Sequence, residues 1–234
     1  MCLPVSIKKT SKSSFFIPNQ AITNSSSLTD ELPPQLLRLI EDWYGNKEEY
    51  QFKTSGSTGT PKTITLNRQQ ILDSAQRTIK VFNLNSQLTA LIALNLDYIA
   101  GFMMLIRALE AKMNIHYFEP TSDPFENLLP DQRYFMALVP LQFQKLTEKK
   151  HQLNNVDSII IGGSSLSSDL KKKSSKFEFS IYETYGMTET VSHIALRHII
   201  SDESNNHFQV LDGIQIRSSS DNCLEIKGDV TLHE

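Results

Sequence analysis

Ser158-Ile159-Ile160-Ile161-Gly162-Gly163-Ser164-Ser165-Leu166 opens as a fully apolar short run and stops at two glycines. That is the pattern of a buried strand opening into a tight turn. Similar runs lie on both sides of it. Upstream, residues 88–94, 114–118 and 134–139 read as strands. Between and after them, helical spacing appears in Phe102, Leu105, Ile106 and Leu109 and again over residues 141–149. Downstream, Ser180-Ile181-Tyr182-Glu183 leads into a turn at Tyr185-Gly186. Strands separated by helices imply an α/β fold, a mostly parallel sheet flanked by helices, with ligands bound beyond the carboxyl ends of the strands.

Towards the N-terminus the signal is weaker. Residues 1–28 are rich in Ser, Thr, Asn and Lys and read as a surface segment with limited strand content. Residues 32–44 read as a helix, with Leu36, Leu39, Ile40 and Trp43 at helical spacing and Pro33-Pro34 suited to its first turn. Tyr50-Gln51-Phe52-Lys53 alternates as a short strand. Asn67 followed by Gln70 resembles a capping box, opening a helix whose apolar face is Ile71, Leu72, Ala75, Ile79 and Phe82. Past residue 192 the pattern changes to short strands, 193–199, 209–211, 213–217 and 223–227, separated by polar turns. The expectation is an α/β core over residues 1–192 and a small antiparallel β appendage over 193–234.

Composition narrows the function classes. A chain of 234 residues with 39% hydrophobic content can bury a substantial core. The 23 Lys+Arg against 26 Asp+Glu leave a net charge of -3 and no basic run, which argues against a nucleic-acid partner. Cys2 and Cys223 form neither a disulfide framework nor a zinc-ligand spacing, so a cytoplasmic location is expected. Residues 88–109 approach the length of a membrane span, but Asn95, Asp97 and Arg107 interrupt them. A charge at mid-bilayer costs about 3 kcal/mol, so a strand followed by a core helix is expected instead. Nothing in the composition fixes an oligomeric state.

Thr54-Ser55-Gly56-Ser57-Thr58-Gly59-Thr60-Pro61-Lys62 sits between a strand and a helix in this reading. Glycines let the backbone turn tightly and bring N–H groups to an anion, hydroxyls add donors, and the lysine adds a charge. The composition suits a polyphosphate. The stretch from Gly56 nearly spells a Walker A loop, but Pro61 replaces the second glycine and has no N–H to donate. On composition alone a flexible Ser/Gly loop without a ligand stays open beside the phosphate loop.

The loop resembles the signature of the superfamily of acyl-CoA synthetases, peptide-synthetase adenylation domains and luciferases. The resemblance implies that Thr54, Ser55, Gly56, Ser57, Thr58, Gly59 and Lys62 wrap the β- and γ-phosphates of ATP. Tyr185-Gly186-Met187-Thr188-Glu189-Thr190 is similar to that family's second motif. It implies adenine stacking for Tyr185, an α-phosphate contact for Thr188 and Mg²⁺ coordination for Glu189. Gly162, Gly163 and Ser164 are similar to a family segment beside adenine and the acyl pocket. Lys62, Thr188 and Glu189 are thus the expected catalytic groups. At the carboxylate substrate the candidates are Tyr98, Gly186, Met187, Ser192 and His193.

What the resemblance implies chemically is a ligase. A carboxylate attacks the α-phosphate of ATP to give an acyl-adenylate and pyrophosphate, and coenzyme A then displaces AMP. No side-chain nucleophile is needed, and no Ser/His/Asp or Cys/His arrangement stands out. The compact stretch before the phosphate loop resembles short o-succinylbenzoate–CoA ligases of menaquinone biosynthesis. An aryl-acid adenylation domain loading a carrier protein and a non-catalytic nucleotide-binding module remain alternatives. The family's ribose aspartate, hinge and C-terminal lid domain are expected after Cys223-Leu224-Glu225-Ile226-Lys227-Gly228, so the chain is expected to be an N-terminal portion with little turnover of its own.

Overall fold

The computed structural model describes residues 7–11, 13–23, 32–54, 62–148, 153, 155–199 and 207–228. The chain opens with strands β1 (Lys8–Ser11) and β2 (Ser14–Ile17) and helices α1 (Asn19–Thr23) and α2 (Pro34–Tyr44). Strands β3 (Glu49–Lys53) and β4 (Thr63–Asn67) precede helix α3 (Arg68–Phe82). Alternating units follow: β5 (Leu88–Ile92), α4 (Ile99–Glu110), β6 (Asn114–Phe118), β7 (Arg133–Leu138), α5 (Pro140–Glu148), β8 (Val156–Ile161), α6 (Ser168–Ser174) and β9 (Ser180–Met187). The last described strands are β10 (Ser192–His198), β11 (Gln209–Val210), β12 (Gln215–Ser218) and β13 (Leu224–Lys227).

Among the described residues the main sheet has nine strands in the order β1-β2-β6-β5-β7-β8-β9-β10-β11. Its centre, from β6 to β9, is wholly parallel, and antiparallel strands extend it at both ends. Helices α3 and α4 pack together over one face and α5 and α6 over the other. This is the α/β architecture expected from the alternating pattern. Every residue of β5 is buried, and α4 is buried from Gly101 to Leu109, so residues 88–109 are a core strand and a core helix. No helix among the described residues is long and apolar enough to cross a membrane.

Helix α3 starts where its capping signal places it. The Asn67 side chain accepts from the Gln70 N–H at 2.9 Å, and the Gln70 side chain accepts from the Asn67 N–H at 3.0 Å. Two orphan donors of the first turn are satisfied, an arrangement that contributes about 1 kcal/mol. The helix ends at Asn83, which adopts the left-handed conformation that stops a helix.

Four local expectations change. The N-terminal segment is not merely surface: β2 pairs with β6, and Phe15, Phe16 and Ile17 are buried. Three consecutive apolar residues inside a polar stretch gave too short a pattern to read. The phosphate-loop residues do not run from a strand into a helix, because β4 intervenes and pairs antiparallel with β3 in a separate two-stranded sheet. Tyr185-Gly186 is not a turn but lies within β9, which continues to Met187. Lastly, among the described C-terminal strands, β10 and β11 extend the main sheet beside β9, while β12 and β13 form the small antiparallel sheet apart from it.

The β3–β4 hairpin is anchored through aromatic packing. The Phe102 ring of α4 meets Tyr50 and Phe52 of β3, each at a centroid distance of 5.0 Å. Burying one such ring stabilises the fold by roughly 1.5–3 kcal/mol. These contacts hold β3 against α4.

Candidate functional site

The chain leaves β5 through α4 to β6 on one side, whereas β7 lies on the other side of β5. The connections diverge there, and the carboxyl ends of β5 and β7 form a topological switch point. A cavity of about 70 Å³ opens at this point. Leu94 lines it from the turn after β5, Gly162 and Gly163 from the turn after β8, Arg107 from α4, and Ser192 and His193 from β10. Ligand pockets are commonly several hundred Å³, so this volume matches the inner end of a small molecule.

Arg107 was read from the sequence only as a charge unsuited to a membrane. The structure buries it, at 1% exposure, inside the apolar helix α4. Its Nη2 donates to Ser192 Oγ at 3.0 Å, while Nε has no partner. No carboxylate pairs with it among the described residues. Burial disfavours the charged form and lowers its pKa to about 9, which leaves it protonated at neutral pH. His193 is held neutral, first by burial and second by the nearby Arg107 charge. A buried cation with an unpartnered donor facing a cavity is costly to hold unless it is further paired or hydrogen-bonded. A pattern reading had one signal for it, an arginine in the last turn of an otherwise apolar helix.

The turn after β8 is fixed from beneath. Glu183 of β9 is buried: its Oε1 accepts from the Leu166 N–H at 3.0 Å, and its Oε2 accepts from Lys171 Nζ at 3.1 Å and from both Nε and Nη2 of Arg197. Burial pushes this carboxyl up, but the bonds from Arg197, Leu166 and Lys171 outweigh burial and hold it below the usual range. Glu183 thus ties residues 162–166 to β9 and β10. Gly163 has φ +90°, a conformation that costs a side-chain-bearing residue about 1 kcal/mol or more. Ser164 is exposed at this turn.

At the end of β9, Tyr185 is partly exposed and meets Phe208 edge-on at 5.9 Å. Gly186 packs so closely on β10 that a Cβ there would lie 2.1 Å from the Ser192 carbonyl oxygen. Met187 is exposed, Thr188 is partly exposed, and Glu189 is exposed at a single 3-10 turn, Thr188–Thr190. The Glu189 carboxylate has no side-chain partner among the described residues, and none of these forms a cluster of three metal-ligating side chains. Mg²⁺ is usually held by one or two carboxylates together with phosphate oxygens, and an exposed carboxylate such as that of Glu189 fits that habit.

The phosphate loop is described at its base. The Thr54 N–H donates to the Lys62 carbonyl at 2.9 Å, closing the loop as the β3–β4 connection, and the Lys62 side chain is exposed. Ser55, Gly56, Ser57, Thr58 and Gly59 lie outside the described residues. Tyr98 stands at the start of α4 and is 57% exposed, and the cavity is lined from its segment by Leu94 and Ala100. Two larger open grooves lie away from the motifs. One, of about 520 Å³, runs along α2 and β3, and the other, of about 610 Å³, sits at the amino ends of β7, β8 and β9.

An open, largely parallel α/β sheet whose switch point holds a cavity lined by the glycine turn after β8 is the architecture of nucleotide-binding enzymes. The chain belongs to the AMP-binding enzyme family, whose model matches residues 50–214. It is similar to the 2-succinylbenzoate–CoA ligases of Haemophilus influenzae, at 29% identity over 59% of this chain and 31% of that protein, and of Lactococcus lactis, at 23% over 84% and 45%. Among solved structures, it is similar to an acyl-CoA synthetase (AMP-forming)/AMP-acid ligase II-like protein from Dyadobacter fermentans, with TM-score 0.80 and 35% identity over 89% of this chain and 61% of that one. An O-succinylbenzoate coenzyme A synthetase from Bacillus subtilis, solved with ATP and magnesium ion, shares the fold with TM-score 0.66 and 21% identity over 79% and 42%. The chain spans less than two thirds of the length of each of these relatives.

Proposed function

We propose that the protein carrying this chain is an ATP-dependent acid–CoA ligase whose acid is aromatic and bears a second carboxylate, o-succinylbenzoate being the best fit. The observation that carries the reading is Arg107, a buried cation with no paired carboxylate among the described residues, at the inner end of the switch-point cavity. A monocarboxylic acid uses its only carboxylate in the reaction. A dicarboxylate has one to spare, and anchoring it on Arg107 directs the other towards the nucleotide. The named relatives act on such an acid.

In this reading a carboxylate oxygen attacks the α-phosphorus and pyrophosphate leaves. The sulfur of coenzyme A then attacks the acyl carbon, loses its proton to solvent, and AMP leaves. Tyr185 stacks on adenine, the backbone of residues 162–164 lies beside it, and the Thr188 hydroxyl donates to the α-phosphate. Lys62 and the loop from Thr54 hold the outer phosphates. Mg²⁺ at Glu189 would neutralise phosphate charge that otherwise repels the incoming carboxylate. The chain's own contribution is alignment of two anions, since proximity and fixed donors supply most of the barrier reduction in such a transfer.

The test is acid-dependent ATP–pyrophosphate exchange and thioester formation over a panel of acids. It is run with the 234-residue chain and with the longest chain its gene encodes. o-Succinylbenzoate is expected to be preferred over its monoester by about 10²-fold or more, a gap of roughly 3 kcal/mol for a buried charge pair. Arg107→Met is expected to erase that preference while sparing turnover of the monoester. Equal loss with both acids assigns Arg107 to the fold alone. Activity with aryl acids on a carrier protein, or nucleotide binding without exchange, replaces the proposal by the corresponding alternative.

A further inference from the structure

The turn that carries Thr188 and Glu189 is closed by two consecutive left-handed residues, Val191 at φ 49° and Ser192 at φ 83°. A β-branched residue in this region is an outlier, and such strain persists only where surrounding contacts over-determine it. Those contacts are identifiable. The Val191 N–H donates to the Thr188 carbonyl at 3.0 Å, and the Thr190 hydroxyl reaches the Ser192 carbonyl at 2.8 Å. From outside the turn, Ser74 of α3 donates its hydroxyl to the Val191 carbonyl at 2.5 Å, and both residues are buried.

One helical turn further along α3, the Thr78 hydroxyl lies 3.1 Å from His193 Nε2 and 3.3 Å from the Ser74 carbonyl. With the Thr78 proton directed to that carbonyl, His193 donates from Nε2, which fixes the orientation of a ring that lines the cavity beside Arg107. Residues at i and i+4 share a helix face, so the two hydroxyls address Val191, just before β10, and His193 within it. Helix α3 follows β4 without a break and so continues directly from the phosphate-loop hairpin.

We propose that Ser74 and Thr78 are positioning residues with divided duties: Ser74 sets the Thr188–Glu189 turn for the nucleotide and its metal, and Thr78 sets His193 for the acid. The division rests on the ligase reading above. It makes α3 a rigid link between the phosphate loop, the magnesium carboxylate and the acid cavity.

The experiment measures KM for Mg-ATP and for the acid in pyrophosphate exchange, on the longest chain the gene encodes. Ser74→Ala is expected to raise the KM for Mg-ATP and the half-saturating Mg²⁺ concentration about fivefold to tenfold, the usual effect of one lost hydrogen bond, with the acid KM within about twofold. Thr78→Val is expected to do the reverse, and Thr78→Ser, which keeps the hydroxyl, to match the wild type in both. Parallel shifts of both constants in both variants, or a lowered melting temperature with unchanged kinetics, overturn the proposal. If the wild type exchanges pyrophosphate with no acid, the ligase reading fails. Calorimetric titration with Mg-ATP then still decides the Ser74 half, and equal affinities of wild type and Ser74→Ala overturn it.

Discussion

Glu183 and Arg107 are both fully buried charges beside the same site, and they are treated in opposite ways. Glu183 is surrounded by Arg197, Lys171 and the Leu166 N–H. Arg107 has a single serine hydroxyl and an unpaired Nε. A buried ion costs several kcal/mol unless paired and hydrogen-bonded, so the first charge is compensated within the fold and the second, among the described residues, is not. Position in the fold agrees. Glu183 lies under the turn after β8 and holds it, whereas Arg107 faces the cavity that the turn helps to form.

The contrast predicts opposite signs on mutation. Glu183→Leu is expected to lower unfolding stability by about 3 kcal/mol, at the low end for a broken buried pair because Lys171 reaches water. Urea denaturation measures it, and a loss below about 1 kcal/mol breaks the comparison. Arg107→Met is expected to raise stability by about 1–2 kcal/mol, since an apolar side chain of similar length replaces an uncompensated charge. A stability loss would mean that Arg107 has a counter-charge in the folded protein. The pKa argument gives the same sign. A cation whose pKa is lowered to about 9 on folding is charged in both the folded and unfolded states at neutral pH, where the cost of burying its charge is fully present.

The smallest expected effect is in acid. His116 is buried with its pKa lowered from 6.5 to about 4, and His193 is also lowered, so both are neutral in the fold and bind protons on unfolding. Their contribution is full above pH 6.5 and is lost as the pH falls from there towards 4. Glu183, whose pKa is depressed, adds a further loss as the pH drops below its ordinary value of 4.5. Urea midpoints between pH 7 and pH 4 are expected to fall in the wild type and to fall less in Arg107→Met. Removing Arg107 takes away one of the two causes that keep His193 from protonating. Identical slopes would show that burial alone sets the His193 pKa.

The sequence by itself determined what depends on neighbours in the chain. Periodicity located the buried strands and helices, the Asn67–Gln70 pair located the start of α3, and the two motifs with the glycines at 162 and 163 led to the family. These signals are local because side-chain period, capping and tight turns involve only a few residues. Tertiary structure alone decided the strand order that creates the switch point, and it made β2 a buried strand and β10 a continuation of the main sheet. It also turned Arg107 from a charge in a helix into the end wall of a cavity, through contact with a serine 85 residues away, and set Ser74 on a turn 117 residues away. Such partners meet only when the sheet closes, since which charge is buried unpaired, and where it faces, is a property of packing and not of spacing.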